Sequence, residues 1–274
     1  MDTPQSFRYL IPLLPENLPL FIPDRDSDGG VWDMGIPGYG ESTKDSSPVD
    51  IEAHSKMSIG SDILEALAKT LGPPKDGQEK QPITVLIGHD RGARIAQRLT
   101  VHADASPKFE ILATALLDIV PTIVQYQSFA NPKNSVGFFH WPFLAAPYLV
   151  LENMISALGG DKFIESLITA WSLTSCADYR AGALIGAPQD EEDQRNGRKI
   201  EVPVLVLYSE KYLGCRKGSL MVGGIGNDAG HFFLEEEPEI VAGHVNKWLK
   251  ESVGLSLYLV LHWRAMGIRL SSGV

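Results

Sequence analysis

The sequence predicts an α/β fold: a mostly parallel sheet flanked by helices, with a helical cap inserted between two of its strands. Three observations carry this. Short apolar runs alternate with longer stretches of helical periodicity. The runs are nearly continuous in apolar character, as strands buried on both faces must be. The alternation is interrupted once, from about Pro121 to Pro188, by a segment rich in aromatic residues in which no strand-like run stands out.

The first expected strand is "LPLFIP" (18–23). "HSKMSIGSDILEALAKTLG" (54–72) then places Met57, Ile63, Leu64, Leu67 and Leu71 at helical spacing and closes on Gly72 and two prolines, a stop signal. "ITVLIG" (83–88) is the next strand, followed by a helix with Ile95, Ala96 and Leu99 on its inner face and Val101 and His102 at its end. "EILATALLD" (110–118), "VPVLVLYS" (202–209) and "SLMVGG" (219–224) complete the strands, and "EPEIVAGHVNKWLKE" (237–251) supplies a late amphipathic helix. Between them the cap contains helical runs such as "FIESLITAWSL" (163–173), and the polar "GAPQDEEDQRNGRKIE" (186–201) reads as a solvated connection back to the core. The expected division is a discontinuous core of residues 1–120 and 200–250, a helical cap of 121–199 and an atypical tail of 251–274.

Composition bounds the function. A net charge of -10 over 274 residues argues against a broad surface for nucleic acid or acidic membrane, which needs clustered positive charge. A small-molecule partner is expected instead, with a homodimer left open. Cys176 and Cys215 lie far apart without CxxC spacing, so neither a disulfide framework nor a zinc site is suggested, and neither cofactor nor metal is expected. The N-terminal stretch has prolines through its apolar part and lacks the layout of a secretory signal. "VGLSLYLVLHW" (253–263) is far short of the roughly 20 residues of a membrane-spanning helix, and the cytoplasm is the expected compartment.

The chemistry concentrates at Gly88-His89-Asp90-Arg91-Gly92, a nucleophile-elbow pattern with Asp where many hydrolases carry Ser. Its position strengthens it, directly after "ITVLI" and before the helical "ARIAQRL". The bland alternative is a surface Asp paired with Arg91 or Arg94. An Asp nucleophile needs a base to activate water and an acid to orient that base. His231, in "NDAGHFFLEEEPE" between the last strand and the last helix, and Asp118, at the end of "ATALLD", stand in usable order. Their bland readings are an exposed loop His and a turn cap.

"GHDRGAR" (88–94), "LDIVPT" (117–122), His140-Trp141, "DYRAG" (178–182) and "AGHFFLEEEP" (229–238) together resemble the fluoroacetate (haloacetate) dehalogenase branch of the α/β-hydrolase superfamily, over roughly residues 3–248 with a break at 25–34. The resemblance implies the α/β-hydrolase fold, with Asp90 as nucleophile, His231 as base and Asp118 as its acid partner. It further implies that Arg91 and Arg94 hold the substrate carboxylate, and that His140, Trp141 and Tyr179 receive the departing halide. Chemistry agrees: Arg binds a carboxylate bidentately, and a leaving halide needs N–H and O–H donors. For His140, Trp141 and Tyr179 the competing reading is packing within the cap.

The sequence departs from the pattern at its beginning. Family members have two or three strands and a His-Gly loop ahead of the segment matching "TPQSFRYLIPLLP" (3–15), where this sequence has only Met1 and Asp2, so N-terminal strands and one oxyanion donor are expected to be missing. The absent third strand belongs between "LPLFIP" and "ITVLIG", exposing their edges unless they close on each other. "RDSDGGVWDM" (25–34) reads as a flexible insertion, and "LGCRKGSL" (213–220) abbreviates a connection. The expected function is hydrolysis of the carbon–halogen bond of a small 2-haloacid through a covalent ester on Asp90. Epoxide hydrolysis, with Tyr126, Tyr148 or Tyr179 protonating the ring oxygen, is the alternative, and a non-catalytic homologue is the second.

Overall fold

The computed structural model describes residues 7–15, 50–74, 79, 81–102, 108–159, 162, 173–209, 222–225 and 229–252. They divide into two compact units, one drawn from within Gly35–Asp62 and Val120–Lys199, the other from within Asp2–Met34, Ile63–Ile119 and Ile200–Val274. The expected strand at 18–23, the insertion at 25–34, Cys215, most of "FIESLITAWSL" and the tail from 253 lie outside the described residues.

The sheet unit contains β1 (Gln81–His89), β2 (Phe109–Leu117), β3 (Val204–Ser209) and β4 (Val222–Ile225), all parallel and in the order β1-β2-β3-β4. The four later apolar runs thus form strands. β2 is the most deeply placed, with Ala113, Ala115 and Leu117 fully buried, while β3 alternates and buries Leu205, Leu207 and Ser209. Among the described residues β1 pairs only with β2. The register sets His89 opposite Leu117 and Leu117 opposite Leu207, so β1 and β2 end level. Whatever follows each strand therefore emerges at the same edge of the sheet.

Helix α1 (Lys56–Leu71) buries Ile59 and Leu64 and stops at Gly72, whose φ of 75° is the left-handed conformation glycine tolerates best. Helix α2 (Arg91–Val101) returns the chain from β1 to β2 and buries Ile95, Ala96 and Leu99, but also Arg94 and Arg98, so its inner face carries charge. The last helix of the unit (Pro238–Ser252) buries Val241, Ala242, Val245, Trp248 and Leu249 in one core with Leu10, Leu14 and the β2 and β3 side chains. Burying each large apolar side chain contributes about 1.5–3 kcal/mol, which makes this helix a main support of the sheet.

The other unit is helical, with no strand among its described residues. Its elements are α3 (Thr122–Ser128), α4 (Pro132–Gly137), α5 (His140–Leu144), α6 (Val150–Leu158), α7 (Leu173–Ala181), a π-helical turn (Gly182–Gly186) and α8 (Ala187–Arg195). Leu144, Leu151, Ile155 and Tyr179 form its core, flanked by Trp141 and Phe143. Two buried charges from "DYRAG" are neutralised within the unit. Asp178 pairs with Lys56, and Arg180 meets Glu152 Oε1 at 2.5 Å while donating to the Ala146 carbonyl at 3.1 Å. The polar run at 186–201 does not form an open connection: Ala187–Arg195 is helical, because Pro188 starts a helix readily and buried Asp190 accepts a hydrogen bond from the Ile123 N–H at 3.2 Å. No helix among the described residues is long and apolar enough to cross a membrane.

Candidate active site

The site starts at the β1–α2 junction. A Cβ added to Gly88 would lie 2.4 Å from the carbonyl carbon and oxygen of Gly92 and 2.5 Å from the Ala93 nitrogen, so the strand end and the first helical turn touch where only glycine fits. At Gly92 the same test meets nothing within 4 Å among the described residues, so the steric demand falls on Gly88 alone. Between them Asp90 has φ 47° and ψ -112°. A non-glycine residue held there costs about 1–3 kcal/mol, strain of the kind that clusters at functional sites. The Asp90 carbonyl accepts from Arg94 N at 3.3 Å, opening α2 directly behind the side chain.

Asp118 repeats this geometry one strand over. It follows β2, has φ 51° and is almost fully buried. Its Oδ1 accepts the Ser209 N–H at 2.8 Å, and its Oδ2 lies 2.6 Å from His231 Nδ1. Because the buried carboxylate accepts, Nδ1 carries the proton and Nε2 is left as the basic nitrogen of the neutral ring. The segment bearing His231 is itself tied down. Ser209 Oγ donates to the Ala229 carbonyl at 2.6 Å, Glu236 accepts the Gly230 N–H at 2.6 Å, and His89 Nε2 donates to the His231 carbonyl at 2.9 Å, with the two imidazole rings 4.8 Å apart.

His89, Asp118 and His231 offer ligand-type atoms within 4.8 Å of one another, the one such group among the described residues. The spacing favours a hydrogen bond over a shared metal. Two ligands at about 2.0–2.2 Å from a tetrahedral ion sit about 3.4 Å apart, whereas the Asp118–His231 contact of 2.6 Å is that of a charge-assisted hydrogen bond.

Burial alone pushes the Asp90 carboxyl up, but the positive potential of His231, then Arg91, His89 and Arg94, outweighs it and holds the group below its ordinary value. Asp90 is therefore a carboxylate at neutral pH, with two arginines in its field. Arg91 is half-buried and Arg94 almost fully buried.

Within the helical unit the other three expected residues also cluster. Tyr179 packs edge-on to Trp141 at 5.2 Å between ring centroids and to His140 at 6.0 Å. Tyr179 is buried in the core of that unit, whereas His140 and Trp141 are half-buried. Tyr126, 5.5 Å from Trp141, donates its hydroxyl proton to the Tyr179 carbonyl at 3.1 Å. Sequence reasoning passed over Ser209 and Glu236 and took His89 only as part of the motif. The available signal was a polar residue closing an apolar strand.

The chain is similar to known proteins in sequence and in fold. No protein-family profile matches the chain. A fluoroacetate dehalogenase from Burkholderia sp is 27% identical over 259 residues, covering 79% of this chain and 77% of that protein. A structure from Nostoc sp PCC 7120, assigned as an α/β hydrolase, superposes with a TM-score of 0.65 at 26% identity, covering 91% of this chain and 88% of its own. The chain has the α/β-hydrolase fold and is similar in sequence to a haloacetate dehalogenase. A Pseudomonas aeruginosa structure assigned as an epoxide hydrolase shares this fold, with a TM-score of 0.56, 24% identity and 73% of each chain covered.

Proposed function

We propose that this α/β-hydrolase cleaves the carbon–halogen bond of a small 2-haloacid, with Asp90 as nucleophile. The observation that carries the reading is Asp90 itself: a carboxylate presented on a strained elbow and kept ionised by His231, Arg91, His89 and Arg94. An ordinary structural aspartate has no need of such strain or of so much positive charge. An Asp90 oxygen attacks the carbon next to the substrate carboxylate, the C–O bond forms, and the halide leaves with the bonding pair. His231 Nε2 then takes a proton from water, the hydroxide adds to the Asp90 ester carbonyl, and collapse releases the 2-hydroxy acid, regenerating the carboxylate and yielding one proton to solvent. Asp118 holds the imidazole and stabilises its cation. Arg91 and Arg94 neutralise the substrate carboxylate, without which two anions must approach each other. His140, Trp141 and Tyr179 are proposed to receive the halide through N–H and O–H donors.

Epoxide hydrolysis is the second reading, favoured by the Pseudomonas aeruginosa structure. It needs a tyrosine proton for the ring oxygen. The Tyr126 hydroxyl proton is committed to the Tyr179 carbonyl, and Tyr148 is exposed beside the Arg180 guanidinium at 5.7 Å from its ring centre. Paired arginines suit an acidic substrate better than a neutral epoxide. The deciding experiment measures halide release from fluoroacetate and chloroacetate beside turnover of styrene oxide, with Asp90→Asn and His231→Ala. Halide release that is lost in Asp90→Asn, with a covalent ester trapped in His231→Ala and seen by mass spectrometry, supports the reading. Halide release at the wild-type rate in Asp90→Asn refutes it.

A further inference from the structure

We propose that Ser209 is a positioning residue for the water-activating step, coupling Asp118 to the loop that carries His231; its kinetic part rests on the reading above. Ser209 ends β3 and is fully buried. Two of its polar groups serve different halves of one device. The backbone N–H donates to Asp118 Oδ1 at 2.8 Å, and the hydroxyl donates to the Ala229 carbonyl at 2.6 Å. Ala229 lies two residues before His231, whose Nδ1 returns to Asp118 Oδ2 at 2.6 Å. The chain of contacts thus closes on itself: Asp118, Ser209, Ala229, His231, Asp118.

The physical need is clear. Asp118 is separated from His231 by 113 positions, and the His231 segment is a loop between β4 and the helix that follows. A side-chain contact between a strand end and a loop is only as well placed as the loop, and base catalysis loses rate steeply when its geometry slips. Ser209 fixes that loop from the residue that also fixes the acid, so the two partners move together. A nonpolar residue at 209 keeps the first contact, which uses only backbone, and loses the second.

Ser209→Ala therefore separates the two roles. Attack by Asp90 needs no base, whereas hydrolysis of the ester does, so the substitution slows the second step selectively. With chloroacetate, Ser209→Ala is expected to release a burst of halide stoichiometric with protein, then turn over about five- to tenfold more slowly, the loss for one neutral hydrogen bond. The ester should accumulate on Asp90 during turnover, and Ser209→Thr, which restores a hydroxyl, should remove the burst. A uniformly destabilised variant instead loses both steps together. An activity-independent readout is the proton resonance of His231 Nδ1–H: it should broaden in Ser209→Ala and persist in Ser209→Thr. If Ser209→Ala fails to fold, Ser209→Cys, which keeps the volume but offers a weaker donor, must show the same broadening and burst. An unchanged resonance overturns the proposal whether or not the chain dehalogenates. A trapped ester in His231→Ala together with no burst in the Ser209 variants overturns the coupling but leaves the dehalogenase reading standing. A broadened resonance with no halide release from wild type does the reverse.

Discussion

Asp90 and Asp118 occupy equivalent positions, one residue past the level ends of neighbouring parallel strands, and both take left-handed backbone angles, with φ of 47° and 51°. Asp90 N donates to the Leu117 carbonyl and Asp118 N to the Leu207 carbonyl, so each acid continues the sheet ladder by one bond before its chain turns. Two acids are thereby placed at one sheet edge by backbone, in different surroundings. Asp90 faces positive charge, while Asp118 is closed in by Ser209 and His231.

Asp118→Asn keeps the shape of the side chain but presents a neutral partner to His231, whose preferred tautomer and cation both lose support. Halide turnover is expected to fall about 10²–10⁴-fold, with the ester on Asp90 becoming the dominant species. Steady-state halide release and intact-protein mass spectrometry check this. Turnover within a few-fold of wild type would mean that the pair is structural only.

The elbow glycines should behave oppositely. Gly88→Ala places a methyl group 2.4 Å from the Gly92 backbone, which neither strand nor helix can yield, and should cost about 3 kcal/mol. Gly92→Ala meets open space among the described residues at the start of α2 and should be neutral or stabilising, by up to about 1 kcal/mol. Urea denaturation of the two variants side by side measures the contrast.

Asp90 also sets a pH dependence. Its folded pKa lies below its unfolded value near 3.9, so the stability it contributes is fully present above that value and is lost as pH falls through the lower folded value. The stability difference between wild type and Asp90→Asn should therefore be constant from about pH 5 to 7 and shift against wild type only below about pH 4. Urea titrations across that range read it directly. Any acid limb found in the halide-release rate between about pH 5 and 7 must then come from a group other than Asp90.

Tyr126→Phe discriminates between the two chemistries. Loss of the hydroxyl removes its bond to the Tyr179 carbonyl and should cost about 1 kcal/mol of stability. Halide release should stay within about tenfold of wild type, since the proposed halide donors remain. An enzyme that opens styrene oxide and loses that activity in Tyr126→Phe would instead place a catalytic proton on this hydroxyl.

Sequence alone determined what depends on local pattern. The runs at 83–88, 110–118 and 202–209 are apolar enough to be strands only if covered on both faces, and they are β1, β2 and β3; the helix at 56–71 ends where Gly72 says it should. GHDRG at a strand-to-helix junction was legible because the turn needs glycine at Gly88. The helix at 187–195 was not, since its buried acids look solvated until Ile123 supplies a hydrogen bond from another part of the chain. Tertiary structure alone decided the strand register that levels Asp90 with Asp118, the meeting of Asp118 with His231, and the use of Ser209 by both. Each of these joins residues far apart in the chain, through a strand register, a backbone N–H or a side-chain contact that no local pattern encodes. Asp118 and His231 were legible as candidates by type and order, but their distance, and the part of Ser209 between them, follow only from the pairing of the strands and the placement of the segment after β4.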